Sequence, residues 1–215
     1  MVYNTTSLRT SMLEIKIVYC LFENKQGITI KNLAEKIKID YKNTHQAVNK
    51  LFKKGVIEKG KIGNYNLCKL NFQSKEVIQS LKEYNFYVKL RKFRQKYLTE
   101  YRIIEEINEQ LPEEIGPFFI CLVFGSFSRN EEKKNSDIDI LFLTSFSKAE
   151  TMIKKILNKI NAPYQKRFHL IEQDIGGFIK DLKNKEKLSI ATELYKELPI
   201  VFYGEDVFFR LIVGE

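Results

Sequence analysis

The stretch that most constrains this chain lies between Phe118 and Leu143. It reads Phe124-Gly125-Ser126-Phe127-Ser128-Arg129 and then Asn135-Ser136-Asp137-Ile138-Asp139-Ile140-Leu141-Phe142-Leu143. Two apolar runs frame it, Phe118 to Phe124 and Ile138 to Leu143. Runs this short and this rich in β-branched and aromatic residues read as buried strands. Gly125-Ser126 falls where the first strand ends, and the two aspartates stand at alternate positions on the second. Alternation puts both carboxylates on one face of a sheet while Ile138 and Ile140 point into the core. Carboxylates held that close repel one another unless a divalent cation sits between them. Hard cations such as Mg²⁺ take oxygen ligands and usually bring substrate phosphates with them. The glycine lets backbone approach a phosphate closely, and the serine offers a hydroxyl and an N–H.

These residues resemble the signature of the nucleotidyltransferase superfamily related to DNA polymerase β, and most closely its minimal nucleotidyltransferase branch. That signature is a hydrophobic residue, Gly, then Gly or Ser, a gap of about ten residues, and Asp-hydrophobic-Asp. Here ten residues separate Ser126 from Asp137. Arg129 and Ser136 also match common family positions, whereas the glycine that often follows the arginine is Asn130. The resemblance implies that Asp137 and Asp139 are catalytic and hold Mg²⁺ (or Mn²⁺). It implies that Gly125, Ser126, Arg129 and Ser136 contact the nucleotide, and that an NTP is the substrate. The plain alternative is a β-hairpin with a solvated pair of aspartates at its edge. One departure stands out. The family usually carries a third carboxylate on the strand after the next helix, where it completes the metal site and helps deprotonate the attacking hydroxyl. Here that strand reads Lys166-Arg167-Phe168-His169-Leu170-Ile171 and holds no acid. Glu172 and Asp174 lie just beyond it. His169 is a substitute base or a packed structural residue.

Composition bounds the rest. At 215 residues the chain holds one large domain or two small ones. With 44% hydrophobic and 29% charged residues it has a globular balance. No apolar run approaches the length needed to span a bilayer, and the first ten residues lack the apolar segment of a signal peptide. Cys20, Cys68 and Cys121 are odd in number, far apart and set among apolar neighbours, which points to buried thiols in a reducing cytoplasm. His45 and His169 make no metal-ligand spacing with them. Net charge is +9, unevenly spread. Residues 1–73 carry 12 Lys and 1 Arg against 5 acids, so almost all of the excess sits in the first third. A basic module of this kind suggests an anionic partner.

That first third reads as three helices and a hairpin. Ser11 to Glu23 is densely apolar and forms a largely buried helix. Thr29-Ile30 starts a second, with Leu33, Ala34 and Ile37 on one face. Asp40 caps a third, with Thr44, Val48, Leu51 and Phe52 inward and Lys42, Asn43, His45, Gln46, Asn49, Lys50 and Lys53 outward. Gly55 stops it. Val56 to Lys59 and Tyr65 to Leu70 are strands around a turn at Gly60 to Asn64. Over residues 10–72 this is similar to the winged helix-turn-helix domains of prokaryotic regulators. The resemblance implies that the outward side chains of the third helix, with Lys61 on the wing, contact duplex DNA. Such domains also serve protein contacts or substrate positioning.

From Asn64 to Leu111 there is no Gly or Pro. Val77, Leu81, Tyr84 and Val88 step by four, three and four, and Tyr97, Tyr101, Ile104 and Leu111 continue in a shifted phase. The spacing predicts one long connecting helix, or two joined near Leu90, over residues 74–111. Its stripe is expected to pair with a second copy or to fold back on its own chain. After a lead-in loop from Pro112 to Pro117 come the two strands, a helix over Ser147 to Ile160, the strand at Arg167 to Ile171, helices over Asp174 to Lys183 and Leu188 to Leu198, an extended piece at Ile200 to Tyr203, and a closing helix.

The expectation is thus a multidomain α+β protein. It comprises a winged helix-turn-helix at 1–73, a connecting helix at 74–111 and a nucleotidyltransferase α/β fold with a mixed sheet at 112–215. Two functions from different classes fit. One is a Mg²⁺-dependent nucleotidyltransferase moving NMP from an NTP to a hydroxyl on a protein or RNA acceptor. The other is a DNA-binding transcriptional regulator or antitoxin-like protein whose nucleotidyltransferase-like domain binds nucleotide or a partner without turnover.

Overall fold

The computed structural model describes residues 11–62, 65–146, 149–160, 167–184, 186 and 188–214. The chain forms two compact units that divide between Tyr84 and Asn85.

In the first unit, the first three helices begin at the side-chain caps their sequence offers. Helix α1 (Met12–Glu23) starts at Ser11, whose hydroxyl accepts from the Glu14 N–H. Helix α2 (Ile30–Ile37) starts at Thr29, which accepts from the Asn32 N–H. Helix α3 (Tyr41–Lys53) starts at Asp40, which accepts from the Asn43 N–H at 2.9 Å. These bonds satisfy donors that the first turn of a helix leaves without partners. Strands β1 (Ile57–Ile62) and β2 (Tyr65–Leu70) pair antiparallel, with Lys59 opposite Cys68, and Ile28 bridges to Cys68 beside them. The turn residues Gly63 and Asn64 lie outside the described residues. Helix α4 (Lys75–Tyr84) packs on α1, and Tyr84 stacks on Tyr19 with ring centroids 3.8 Å apart. Leu21, Phe22, Leu33, Val48, Leu51 and Leu81 are buried between these elements. Phe52, expected inward, is 44% exposed. The buried line of α3 is Thr44, Ala47, Val48 and Leu51, and Phe52 stands one step further round, beneath the Lys59 ammonium.

Of the two forms expected for the connecting stretch, one helix or two joined near Leu90, the chain is nearer the second, with an irregular turn ending at Leu90 and a break at Tyr97. After α4 come a π-helical turn at Asn85–Leu90, helix α5 (Arg91–Lys96), a break at Tyr97 (φ −132°, ψ 57°) and helix α6 (Leu98–Ile115). Its apolar stripe is not left for a second copy. Val77, Ile78 and Leu81 are buried in the first unit, and Phe93, Ile103, Ile104, Ile107 and Leu111 in the core of the second. Its shifted phase therefore reflects a change of core. Helix α6 also runs through Pro112, where a loop was expected. Only the last turn follows, and the Gly116 N–H closes it on the Pro112 carbonyl at 2.9 Å. Losing one backbone donor so near a helix end disturbs little.

The second unit is a four-stranded sheet in the order β5-β4-β3-β6. Strand β3 (Phe119–Phe124) runs into helix α7 (Gly125–Arg129), and β4 (Ile138–Thr144) returns antiparallel to β3. Helix α8 (Ala149–Ile160) crosses over to β5 (Phe168–Asp174), parallel to β4. Helices α9 (Ile175–Lys183) and α10 (Ile190–Lys196), strand β6 (Ile200–Tyr203) and helix α11 (Glu205–Val213) complete it. Ser147 and Lys166, expected at element starts, lie outside the described residues. Phe119, Cys121, Val123, Ile138, Ile140 and Phe142 share one core with α6 and α8. The alternate residues Ile120, Leu122, Leu141 and Leu143 are buried on the opposite face, where α9 and α11 lie. The architecture is therefore mixed α+β with a mixed sheet. Strand β6 is closed by a side chain: buried Asn85 donates to the Val201 carbonyl at 2.8 Å and accepts from its N–H at 2.9 Å. All three cysteines are buried free thiols. Among the described residues, no helix is long and apolar enough to cross a membrane.

Candidate functional site

At the end of β3 the chain turns abruptly. Phe124 is extended and Gly125 takes φ +66°, a left-handed conformation that L side chains rarely adopt. A Cβ there would land 2.6 Å from Asp139 Oδ2. Only glycine satisfies both conditions, so the backbone bend and the carboxylate are built against each other. The five-residue α7 follows, with the Ser128 hydroxyl donating to the Gly125 carbonyl at 3.0 Å. It ends at Asn130 in the left-handed region (φ 59°), the position where the resembled signature often has glycine. Asparagine is among the few other residues that tolerate it.

The following loop is fastened at several points. Lys96 Nζ and Tyr97 Oη both donate to Glu132 Oε1. Burial raises the Glu132 pKa, but these two donors outweigh it and hold the carboxyl below its usual range. Buried Lys89 donates to the carbonyls of Ser128 and Leu198, drawing on the C-terminal end of α7. Ser136, expected at the nucleotide, closes a tight turn: its hydroxyl accepts from the Lys133 N–H at 2.9 Å and its N–H donates back to the Lys133 carbonyl. Arg129 is engaged by carboxylates, with Glu131 at 2.9 Å, Glu193 at 3.3 Å and Glu197 at 3.6 Å. Arg129, expected at the nucleotide, thus ties α7 to α10. Ser126 stays half-buried in the first turn of α7.

Strand β4 begins at Ile138, so only Asp139 is a strand residue. Asp137 stands exposed at the strand mouth. Ile138 and Ile140 are fully buried, which leaves half-buried Asp139 on the face opposite them. Parallel pairing sets Asp139 beside His169 of β5, and His169 Nδ1 lies 2.9 Å from Asp139 Oδ1. The His169 side chain is 60% exposed. Glu172 and Asp174 do not reach this point. They pair with Phe142 and Thr144 further along the strand. Three residues is roughly 10 Å of strand, and the odd offset puts Glu172 on the other face. Both acids are also occupied, Glu172 by the Glu150 N–H at 2.7 Å and Asp174 as the N-cap of α9. A cleft of about 500 Å³ opens beside His169, with Lys154, Asn158, Phe168 and Leu170 among its lining residues. Among the described residues, no three acidic, thiol or imidazole groups form a ready-made metal cage.

In the first unit, the outward residues of α3 divide into two sets. Lys42, Gln46 and Lys53 are exposed, as is Lys61 on β1. The others are engaged. Asn43 donates to Asp40, and Asn49 takes the Lys59 ammonium at 3.1 Å and contacts His45, whose ring lies against Tyr41. Lys50 pairs with Glu14 at 2.6 Å, and Lys54 reaches the same carboxylate at 3.1 Å. Glu14 is 2% exposed. Burial pushes its pKa up, but the two ammonium groups outweigh that and hold it below the ordinary glutamate value. A cleft of about 410 Å³ lies among Thr29, Lys31, Tyr41, His45 and Lys59.

Sequence reasoning missed Lys89, Glu132 and Glu14, because their partners are remote along the chain. A lone acid in the densely apolar α1 was the available signal for Glu14.

Residues 102–201 match the family model described as nucleotidyltransferase domain, and the match supports placing this segment in the nucleotidyltransferase superfamily. No curated protein matches the chain. A solved structure, that of a mutant of ZitR from Lactococcus lactis, is similar at 20% identity and a TM-score of 0.34 over 53% of this chain and 81% of that one. That score is too low to bear on fold or function.

Proposed function

We propose that the second unit transfers a nucleoside monophosphate from an NTP to a hydroxyl acceptor. The observation that carries this reading is the packing of the Gly125 turn against the Asp139 carboxylate, where any Cβ would collide. The turn presents bare backbone and Ser126 beside an acidic strand end. Bare backbone is what close approach of a phosphate requires. The residues present suit a divalent cation as well. Asp137 and Asp139 offer oxygen donors, and the open space about Asp137 leaves room for phosphate oxygens and water. Those two aspartates would hold Mg²⁺ or Mn²⁺, which when bound offsets the negative charge of the triphosphate. Arg129 is assigned to bracing α7 through α10, and Ser136 to shaping the loop that delivers Asp137. Incubation of the whole chain with α-labelled NTP, Mg²⁺ or Mn²⁺ and cell extract should label an acceptor, or the chain itself, and Asp139→Asn should abolish the label. Labelling that survives in Asp139→Asn counts against the assignment.

A second reading is favoured by one specific observation: β5 brings no acid to Asp139. A site lacking a carboxylate base suits nucleotide binding without turnover, in a DNA-binding regulator or antitoxin-like protein. The order of three helices and a hairpin in the first unit, with exposed Lys42, Gln46, Lys53 and Lys61, supports a winged helix-turn-helix that grips duplex DNA. NTP binding without transfer to any acceptor, together with salt-sensitive retardation of duplex DNA, would select this reading.

A further inference from the structure

The segment from Asn85 to Thr99 interleaves aromatic residues with Lys and Arg, and the structure divides them. Phe93 is buried, and Tyr97 packs against Phe93 and Phe127. Those rings are consumed by the core. Phe86 and Tyr87 are not. They are 63% and 50% exposed, side by side in the π-helical turn, with ring centroids 5.1 Å apart and planes at 85°. Edge-on packing occupies one face of one ring and leaves the other faces open. Single exposed apolar residues are commonplace, but two adjacent large rings form a patch.

The charge around them is of one sign. Residues 85–99 carry five Lys and Arg and no acid, whereas residues 100–215 carry 16 basic residues against 20 acidic ones. Lys89 and Lys96 are spent within the unit, on backbone carbonyls and on Glu132. Arg91, Lys92 and Arg94 are exposed. Arg94 lies 5.5 Å over the Tyr101 ring, while Arg91 and Lys92 form no ion pair among the described residues. Arg91 and Lys92 come one turn after Phe86 and Tyr87. Spacings of about four to five residues fall on one side where a helix passes from π to α geometry. Rings that stack on a flat base and cations that meet phosphates are thus set together on one segment. Every base has a π-face and every linkage a charge, so this combination holds single strands with little regard to sequence. In a duplex the base faces are already stacked on one another and do not reach the rings.

We propose that Phe86, Tyr87, Arg91, Lys92 and Arg94 form a binding surface for single-stranded nucleic acid, with bases on the rings and phosphates on the cations. The surface shares no residue with the Gly125 turn or the aspartates and needs neither NTP nor metal. It therefore stands or falls apart from the transferase reading.

The test uses the full chain, without NTP or divalent metal, and a short fluorescent oligonucleotide of mixed sequence as single-stranded RNA, single-stranded DNA and duplex DNA. Wild type should bind the single strands, and the tighter of the two identifies the sugar it prefers. Phe86→Leu with Tyr87→Leu keeps apolar bulk and removes the rings. It should weaken single-strand binding about tenfold or more, with the salt dependence and duplex binding unchanged. Arg91→Gln with Lys92→Gln should instead lower the slope of log binding against log salt by about 1.4, at roughly 0.7 per phosphate contact. A strand carrying 5-bromouracil should photo-crosslink to Phe86 or Tyr87. All four replaced side chains are exposed, so both variants should keep the wild-type urea midpoint. Single-strand binding by the leucine variant equal to that of wild type, crosslinks confined to the first unit, or no binding of either strand at low salt overturns the inference. A protein retained from cell extract through these rings, with no strand bound, overturns it as well.

Discussion

Two places in this molecule set a carboxylate against basic groups, and they differ in every respect that separates framework from site. Glu14 is 2% exposed, and its charge is met by two lysines. Asp139 is half-buried and faces a single exposed imidazole, with exposed Asp137 two residues before it in the chain. The first cluster leaves no carboxylate oxygen unmet. The second leaves donor atoms, space and a bare glycine turn. A buried carboxylate met by two lysines holds elements together, whereas the open acidic strand end beside the glycine turn is where the proposed function needs a ligand.

Breaking the first cluster should have the largest effect on stability. Lys50→Ala with Lys54→Ala strands a buried carboxylate, and urea unfolding should show a loss of about 3 kcal/mol. Adding Glu14→Gln to that pair should recover much of it, since the stranded charge is then gone. Lys50 was expected on a DNA-contacting face, so its contribution to DNA binding has to be measured in a background where Glu14 is already neutral. A smaller loss, about 1–2 kcal/mol, is expected of Gly125→Ala, from the left-handed backbone alone. The displacement of Asp139 should show separately, as lost nucleotide binding.

The Glu14 cluster also predicts a pH response. The folded-state pKa of Glu14 is depressed, so its stabilising contribution is present above the unfolded glutamate pKa of about 4.3. It fades as the pH falls through that value and below. The fall in urea midpoint from pH 6 to pH 3 should be shallower in the Glu14→Gln variant than in wild type. The smallest effect on stability, within about 0.5 kcal/mol, is expected of exposed Lys53→Ala and Lys61→Ala. Each should nonetheless reduce by about one the slope of log binding against log salt for duplex DNA.

Much of this was legible in the sequence where the signal is local. The helix starts at Ser11 and Thr29, the cap at Asp40, the hairpin, and the turn at Gly125 between two apolar strands each follow from residues a few positions apart. In the stretch from 74 to 111 the sequence left one helix and two joined near Leu90 both open, for a physical reason. Without Gly or Pro, a 3.6-residue stripe looks like one helix, and nothing local reveals that Val77 and Ile104 serve different cores. The partners of Lys89 and Glu132, and the Glu193 and Glu197 partners of Arg129, were hidden in the same way, since each of these contacts spans dozens of residues. His169 was visible, but its pairing with Asp139 required the register of two parallel strands joined through α8.

The most direct measurement is equilibrium binding of a non-hydrolysable NTP, with Mg²⁺ or Mn²⁺, to wild type and to the Asp137→Asn/Asp139→Asn variant, alongside the urea midpoint of each in metal-free buffer. The account predicts metal-dependent binding by wild type. It predicts loss of that binding in the variant, with a midpoint equal to or above that of wild type because two like charges have been removed. A variant that binds the metal-bound NTP as well as wild type does would contradict it, and would return the two aspartates to the solvated edge of a hairpin.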